Sequence, residues 1–156
     1  MIIDFSRQLH YVWALLPEII LCISGMAILV VGVTGKYREA HLAVADELEP
    51  ERSGDLGWLA LLSLLMASVA NAWLYGVTEV GVNSMIAVDQ FRLFSNWIFL
   101  LAATLGVLIS FDYVYRQRLQ AGEFYALILF ATSGMMFMAG ARDLIVVFLG
   151  LEVMSI

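Results

Sequence analysis

Four stretches of this sequence are apolar for about 20 residues at a time, the length an α-helix needs to cross a hydrocarbon core of ~30 Å. They cover residues 13–33, 56–75, 93–114 and 124–141, and a fifth apolar stretch begins near Asp143 and runs to Ile156. Composition agrees. The chain is 62% hydrophobic and 14% charged, whereas soluble domains run at about half apolar and about a quarter charged. The expected fold class is all-α: a polytopic transmembrane helix bundle with four complete spans plus the start of a fifth. The expected organisation is a single transmembrane domain over residues 1–156, with a cytoplasmic loop at 34–57.

The charges orient the bundle. Lys36, Arg38 and Arg52 fall in the first connection and Arg116 and Arg118 in the third, against Arg7, Arg92 and Arg142 on the other side. Cytoplasmic loops carry the excess of Lys and Arg. The count therefore places the N-terminus and the connections near Glu79 and Arg142 outside, and the first and third connections in the cytoplasm. Tyr11, Trp13, Trp58, Trp73, Tyr75, Tyr113 and Tyr115 mark span ends, where amphipathic rings sit at the membrane–water boundary. The start, MIIDFSRQLHYVW, mixes Asp4 and Arg7 with apolar residues, unlike a cleaved signal with its basic leader and small-residue cleavage site. A bacterial inner (plasma) membrane is the simplest setting. The net charge of −6 leaves no basic stripe for nucleic acid.

In the first connection Tyr37, His41, Val44, Ala45 and Leu48 recur at helical spacing, which allows a short surface helix, and Pro50, Ser53, Gly54 and Gly57 are expected to break it. The segment reads as a solvated connector or as a docking element for a partner subunit. Ser63, Ala67 and Asn71 in the second span, and Ala102, Gly106 and Ser110 in the third, stand four residues apart. Small residues at this spacing let helices approach closely. Asn71 reads as the one amide inside a span, with an interhelical hydrogen bond or a proton path as its alternatives. Glu18 follows Pro17 at the start of the first helix, where a negative charge meets the positive end of the helix dipole. Asp112 and Glu123 read as hydrated groups at the inner boundary. Arg142 and Asp143 read as a polar turn at the outer one. Cys22 reads as a small packing residue. His10 and His41 lie outside the apolar runs, and no His/Cys cluster has metal-ligand spacing.

Glu152 is the candidate functional residue. Nine residues beyond Asp143, at 1.5 Å each, is about 13 Å along a helix axis, close to half of a ~30 Å core. A charged side chain at that depth costs about 2.5–3.5 kcal/mol on insertion scales. Such a carboxylate should face the bundle interior, find a partner and be functional by default. A neutral glutamic acid bonded to a backbone carbonyl is the structural alternative. No Lys or Arg lies in the middle of a span, so a cationic partner is expected beyond residue 156. Ser155, one turn on, could donate a hydrogen bond.

The stretch GEFYALILFATSGMMFMAGARDLIVVFLGLEVMSI, residues 122–156, resembles the fourth and fifth helices of subunit N of NADH-quinone oxidoreductase, respiratory complex I. LLPEII, residues 15–20, and VDQF, residues 88–91, fit the same family. Arg142 departs from the smaller polar residue that the resemblance implies there. The family's members are much longer, antiporter-like subunits. The resemblance implies that Glu152 takes part in proton translocation with a lysine on a later helix. It also implies that the chain is an N-terminal piece whose fifth helix continues past Ile156. The implied partners are the other membrane-arm subunits, the lipid bilayer and protons. No cofactor is expected in this chain; NAD, FMN, Fe–S clusters and quinone would belong to the parent complex. Two alternatives stand beside this: a subunit of a multi-subunit Mrp-type cation/proton antiporter, and a purely structural membrane subunit.

Overall fold

The computed structural model describes residues 13–42, 52–76, 86–87, 89–117 and 121–155. Five helices follow in order: α1 Leu16–Leu42, α2 Arg52–Leu74, α3 Gln90–Gln117, α4 Ala121–Gly140 and α5 Leu144–Ser155. The first four are long and apolar enough to cross a membrane, with spanning parts Leu16–Thr34, Asp55–Leu74, Gln90–Val114 and Ala121–Gly140, and α5 is a shorter apolar helix. The expected all-α bundle is what forms. The only pairing of extended backbone among the described residues is an isolated antiparallel bridge between Ile86 and Ala141.

Helix α4 lies in the middle, packed against α1, α2, α3 and α5. Its sequence explains why. Ala121, Gly122, Ala126, Thr132, Ser133, Gly134 and Gly140 are all buried, on several sides of the helix. Small side chains admit neighbouring backbones closely, and in lipid this close packing replaces the missing hydrophobic drive between helices. Where α1 crosses α4, a Cβ added at Gly32 would lie 3.2 Å from the Gly122 Cα. Leu21, Ile28, Leu64, Leu100, Val107, Tyr125, Leu129 and Met136 fill the core. Large apolar side chains such as Ile23, Leu65, Ile109 and Leu144 point outward, as lipid-facing or protein-facing positions do in a membrane bundle.

The bundle departs from the sequence reading in three places. The segment 34–57 is helical at both ends, since α1 continues to Leu42 and α2 starts at Arg52. The helical spacing of Tyr37 and His41 belongs to α1 itself; Val44, Ala45, Leu48 and Pro50 lie outside the described residues. Ser53, Gly54 and Gly57 sit inside α2 rather than breaking it. At Gly57 the reason is packing: an added Cβ would lie 2.5 Å from the Phe111 ring. In α3 the expected contact stripe faces outward. Ala102 is exposed and Gly106 has nothing within 4 Å of an added Cβ. The buried face carries Leu100, Ala103, Val107 and Val114 instead. The α2 stripe of Ser63, Ala67 and Asn71 is buried, as read.

Candidate functional site

At the end of the bundle where α1 and α3 begin, Arg92 gathers the helices. It lies in the first turn of α3, where the Asp89 carboxylate accepts from the Arg92 backbone N–H at 2.9 Å and caps the helix. Its guanidinium turns inward and is buried. Nη2 donates to Glu18 Oε1 at 2.5 Å and to the Ala14 carbonyl at 2.9 Å, and Nη1 donates to the Ala87 carbonyl at 3.1 Å. Side-chain exposure is 1% for Arg92 and 0% for Glu18, so neither charge is shared with solvent. Glu18 Oε2 and Arg92 Nε have no partner among the described residues. A fork of several N–H donors is what this position requires, and arginine supplies it where lysine would offer a single point charge.

The same guanidinium lies across the end of α4. A Cβ added at Gly140 would lie 2.7 Å from both Cδ and Nε of Arg92. Beside it, the Ala87 N–H donates to the Gly140 carbonyl at 2.8 Å, and Ile86 pairs with Ala141. The α4–α5 turn is thus tied to both α1 and α3 through one side chain.

Helix α5 starts from that turn. Asp143 is its N-cap, with Oδ1 accepting from the Ile145 N–H at 3.2 Å. It then crosses α4 with almost no side chain between the backbones. A Cβ added at Gly134 would lie 2.6 Å from the Gly150 carbonyl oxygen and 2.7 Å from the Met154 nitrogen. Residues 150 and 154 are one turn apart on the face toward α4, so residue 152, about 200° round from Gly150, points away from it. Glu152 is accordingly exposed. Among the described residues, no hydrogen bond or ion pair reaches its carboxylate. The expectation that Glu152 faces the bundle interior is therefore corrected: Gly150 and Met154 take the face of α5 that meets α4, and the carboxylate is left on the opposite side. Ser155 does not serve the carboxylate; its hydroxyl donates to the Glu152 backbone carbonyl at 3.2 Å.

The chain is similar to NADH-quinone oxidoreductase subunit N of Trichlorobacter lovleyi, with 42% identity over 143 residues, covering 91% of this chain and 26% of the relative. It is 39% identical over 115 residues to subunit N 2 of Roseiflexus castenholzii, covering 74% of this chain and 23% of the relative. It is 45% identical over 98 residues to subunit N 1 of Herpetosiphon aurantiacus, covering 63% of this chain and 20% of the relative. Over the length it spans, this chain belongs to the subunit N family. No family model matches the chain. It spans about a quarter of the length of the curated subunit N relatives it matches.

Within this subunit N segment, several candidates stand where the sequence placed them. Asp112 and Arg116 form an exposed i,i+4 ion pair at 2.9 Å, and Glu123 is exposed in the first turn of α4. Cys22 is half-buried and packs on Ser133, with Sγ and Oγ 3.1 Å apart. Trp13 and Trp73 meet edge-on at 6.0 Å where α1 begins and α2 ends. His10 and Tyr11 lie outside the described residues. Among those described, no group of three or more His, Cys, Asp or Glu could hold a metal ion.

Two readings need correction. Glu18 is more than a helix-start charge facing a dipole, because it is the buried partner of Arg92. Asn71 is not the only amide in a span. Asn96, in α3, donates through Nδ2 to Asn71 Oδ1 at 3.1 Å, and Asn71 Nδ2 donates to the Leu93 carbonyl at 3.2 Å. The interhelical hydrogen bond expected of Asn71 therefore forms, with a second amide as its partner. The signal that could have found Arg92 and Asn96 is their i,i+4 spacing, which puts both polar groups on one face of a spanning helix.

Proposed function

We propose that this chain forms part of the membrane arm of a proton-translocating NADH:quinone oxidoreductase, and that Glu152 carries protons there. The observation that carries the reading is the placement of Glu152. It lies eight residues into α5, about 12 Å along the axis. That depth is near the middle of a ~30 Å core. It points away from α4, onto a face that the described chain leaves open. An ionisable group at that depth marks an ion pathway more often than a structural need. A cation placed on the open face by a further helix would be coupled electrostatically to the Glu152 carboxylate. Two unit charges ~4 Å apart interact by about 4 kcal/mol at an effective dielectric constant of ~20. Moving such a cation would therefore change the field at the Glu152 carboxylate, and in this reading a redox event elsewhere in the complex drives the movement.

In this reading the cation is a lysine on a later helix, the redox groups belong to other subunits, and the chain sits in the bacterial inner membrane with its N-terminus outside. The test is Glu152→Gln in the full-length subunit, with proton translocation in reconstituted vesicles normalised to assembled complex. The substitution keeps size and hydrogen bonding and removes the titrating group, so assembly should survive and translocation should fall. Glu152→Asp keeps the charge with a shorter reach and should be milder. Full translocation by Glu152→Gln would overturn the reading.

A further inference from the structure

We infer that Arg92 is a positioning residue for Glu152: its buried fork fixes the outer end of α5, and with it the place where the carboxylate meets its partner. The inference rests on the reading of Glu152 given above. Helix α5 packs along α4, and two places set how it sits there. One is the crossing at Gly134, Gly150 and Met154, where backbone meets backbone. Close backbone packing there still leaves the helix free to shift or turn about its own axis. The second point is the α4–α5 turn, and Arg92 controls it. The guanidinium presses on Gly140, and through the Ala87 carbonyl it holds the extended segment that pairs with Gly140 and Ala141. Only Asp143, the α5 cap, separates Arg142 from the helix.

Arg92 is itself immobilised. Glu18 and the Ala14 carbonyl hold it from α1, at an exposure of 1%. An exposed arginine at this boundary would be free to turn outward to water. Here the side chain does the opposite, and a carboxylate is buried to keep it there. The two places are separated along α5 by the six residue steps from Leu144 to Gly150, about 9 Å. Glu152 stands between Gly150 and Met154, so a shift or axial rotation of α5 set at the turn is carried to it, and no hydrogen bond or ion pair from the described residues holds its carboxylate. Placement matters at this scale, since a displacement of 1 Å at a reacting group can cost ~10²-fold in rate.

The experiment compares variants of the full-length subunit in the assembled complex. Arg92→Lys keeps the charge and can still pair with Glu18, but one ammonium cannot also hold Ala14 and Ala87. Gly140→Ala leaves every charge in place and lifts the guanidinium from the end of α4. Each is expected to lower proton translocation per assembled complex roughly tenfold. In a Glu152→Gln background neither should lower it further, because the effect runs through Glu152. Carbodiimide labelling of Glu152, read by mass spectrometry, should change severalfold in both variants. It should not change in Ala60→Gly, which loosens the core of α2 away from the clamp.

Additive losses in the Glu152→Gln background would overturn the inference, as would equal labelling changes in Ala60→Gly. If Arg92→Lys fails to assemble, Gly140→Ala and Glu18→Asp carry the same expectations. Failure of all three would also overturn the inference, since the clamp would then be a requirement for folding only. The two readings fail differently. Unimpaired translocation by Glu152→Gln removes the role of Glu152. Impairment by Glu152→Gln with none by Arg92→Lys removes only the positioning.

Discussion

Arg92 and Glu18, seventy-four residues apart in sequence, meet at 2.5 Å with both side chains sealed from solvent. Attraction between such charges is strong, but so is the cost of desolvating them, and the two nearly cancel. The consequence lies in what happens when one partner is removed. Glu18→Ala leaves a buried cation unpaired and should destabilise the protein by about 3–5 kcal/mol. The paired change Glu18→Leu with Arg92→Met removes both charges and should be markedly milder. Unfolding of the purified subunit in bicelles would show the order. A double substitution as damaging as the single one would mean that the pair contributes net stability.

The Asn71–Asn96 pair gives a second ordering. Asn71 both accepts from Asn96 and donates to the Leu93 carbonyl, whereas Asn96 only donates, and its own Oδ1 has no partner among the described residues. Asn71→Leu therefore breaks two bonds and leaves the Asn96 amide without an acceptor. Asn96→Leu breaks one bond and removes an unsatisfied oxygen with it. Interhelical hydrogen bonds in membranes are worth about 0.6 kcal/mol on average and up to ~1.7. Asn71→Leu should be the more destabilising by roughly that amount. The same unfolding measurement decides it, and equal effects would mean that the two amides exchange roles.

Hydropathy is a local property, and what it governs was legible. The four spans, the aromatic ends at Trp58 and Tyr113, and the start of α5 at Asp143 all stand where the sequence put them. The depth of Glu152 along α5 was legible for the same reason. Arg92 was not, because a charge at the end of an apolar run reads the same whether it faces water or the core. Its burial depends on Glu18 in another helix and on the missing side chain of Gly140. The packing face of α3 was misread for a related cause. Small residues recur at helical spacing on more than one face of that helix, and only the shapes of α2 and α4 select Ala103 and Val107 over Ala102 and Gly106.

Orientation has its own test. With Cys22 replaced by Ala, a single cysteine at position 47 should resist a membrane-impermeant maleimide in intact cells and react after permeabilisation. A cysteine at position 142 should react from outside. Arg92 and Arg142 both count toward the outer side, yet Arg92 is buried and paired with Glu18. Labelling of position 47 from outside would invert the assignment.

Gly134, Gly150 and Gly106 make the last comparison, because a methyl group added at each meets something different. At Gly134 it would meet the backbone of α5 at 2.6 and 2.7 Å, and at Gly150 it would meet the Met138 side chain at 2.8 Å and the Gly134 carbonyl oxygen at 3.0 Å. Backbone cannot rotate aside, so α5 as a whole must move outward. Overpacking of this kind costs about 1–3 kcal/mol, and here it also displaces Glu152. At Gly106 nothing lies within 4 Å, and the change gains the helix preference of Ala over Gly, about 0.5–1 kcal/mol. Gly134→Ala should therefore lower both stability and proton translocation, Gly150→Ala should do so to a lesser degree because a flexible methionine takes part of the strain, and Gly106→Ala should leave translocation intact. Measuring all three in the full-length subunit separates helix propensity from close approach. If Gly106→Ala proved as harmful as Gly134→Ala, the outward face of α3 would be as tightly packed as the α4–α5 crossing.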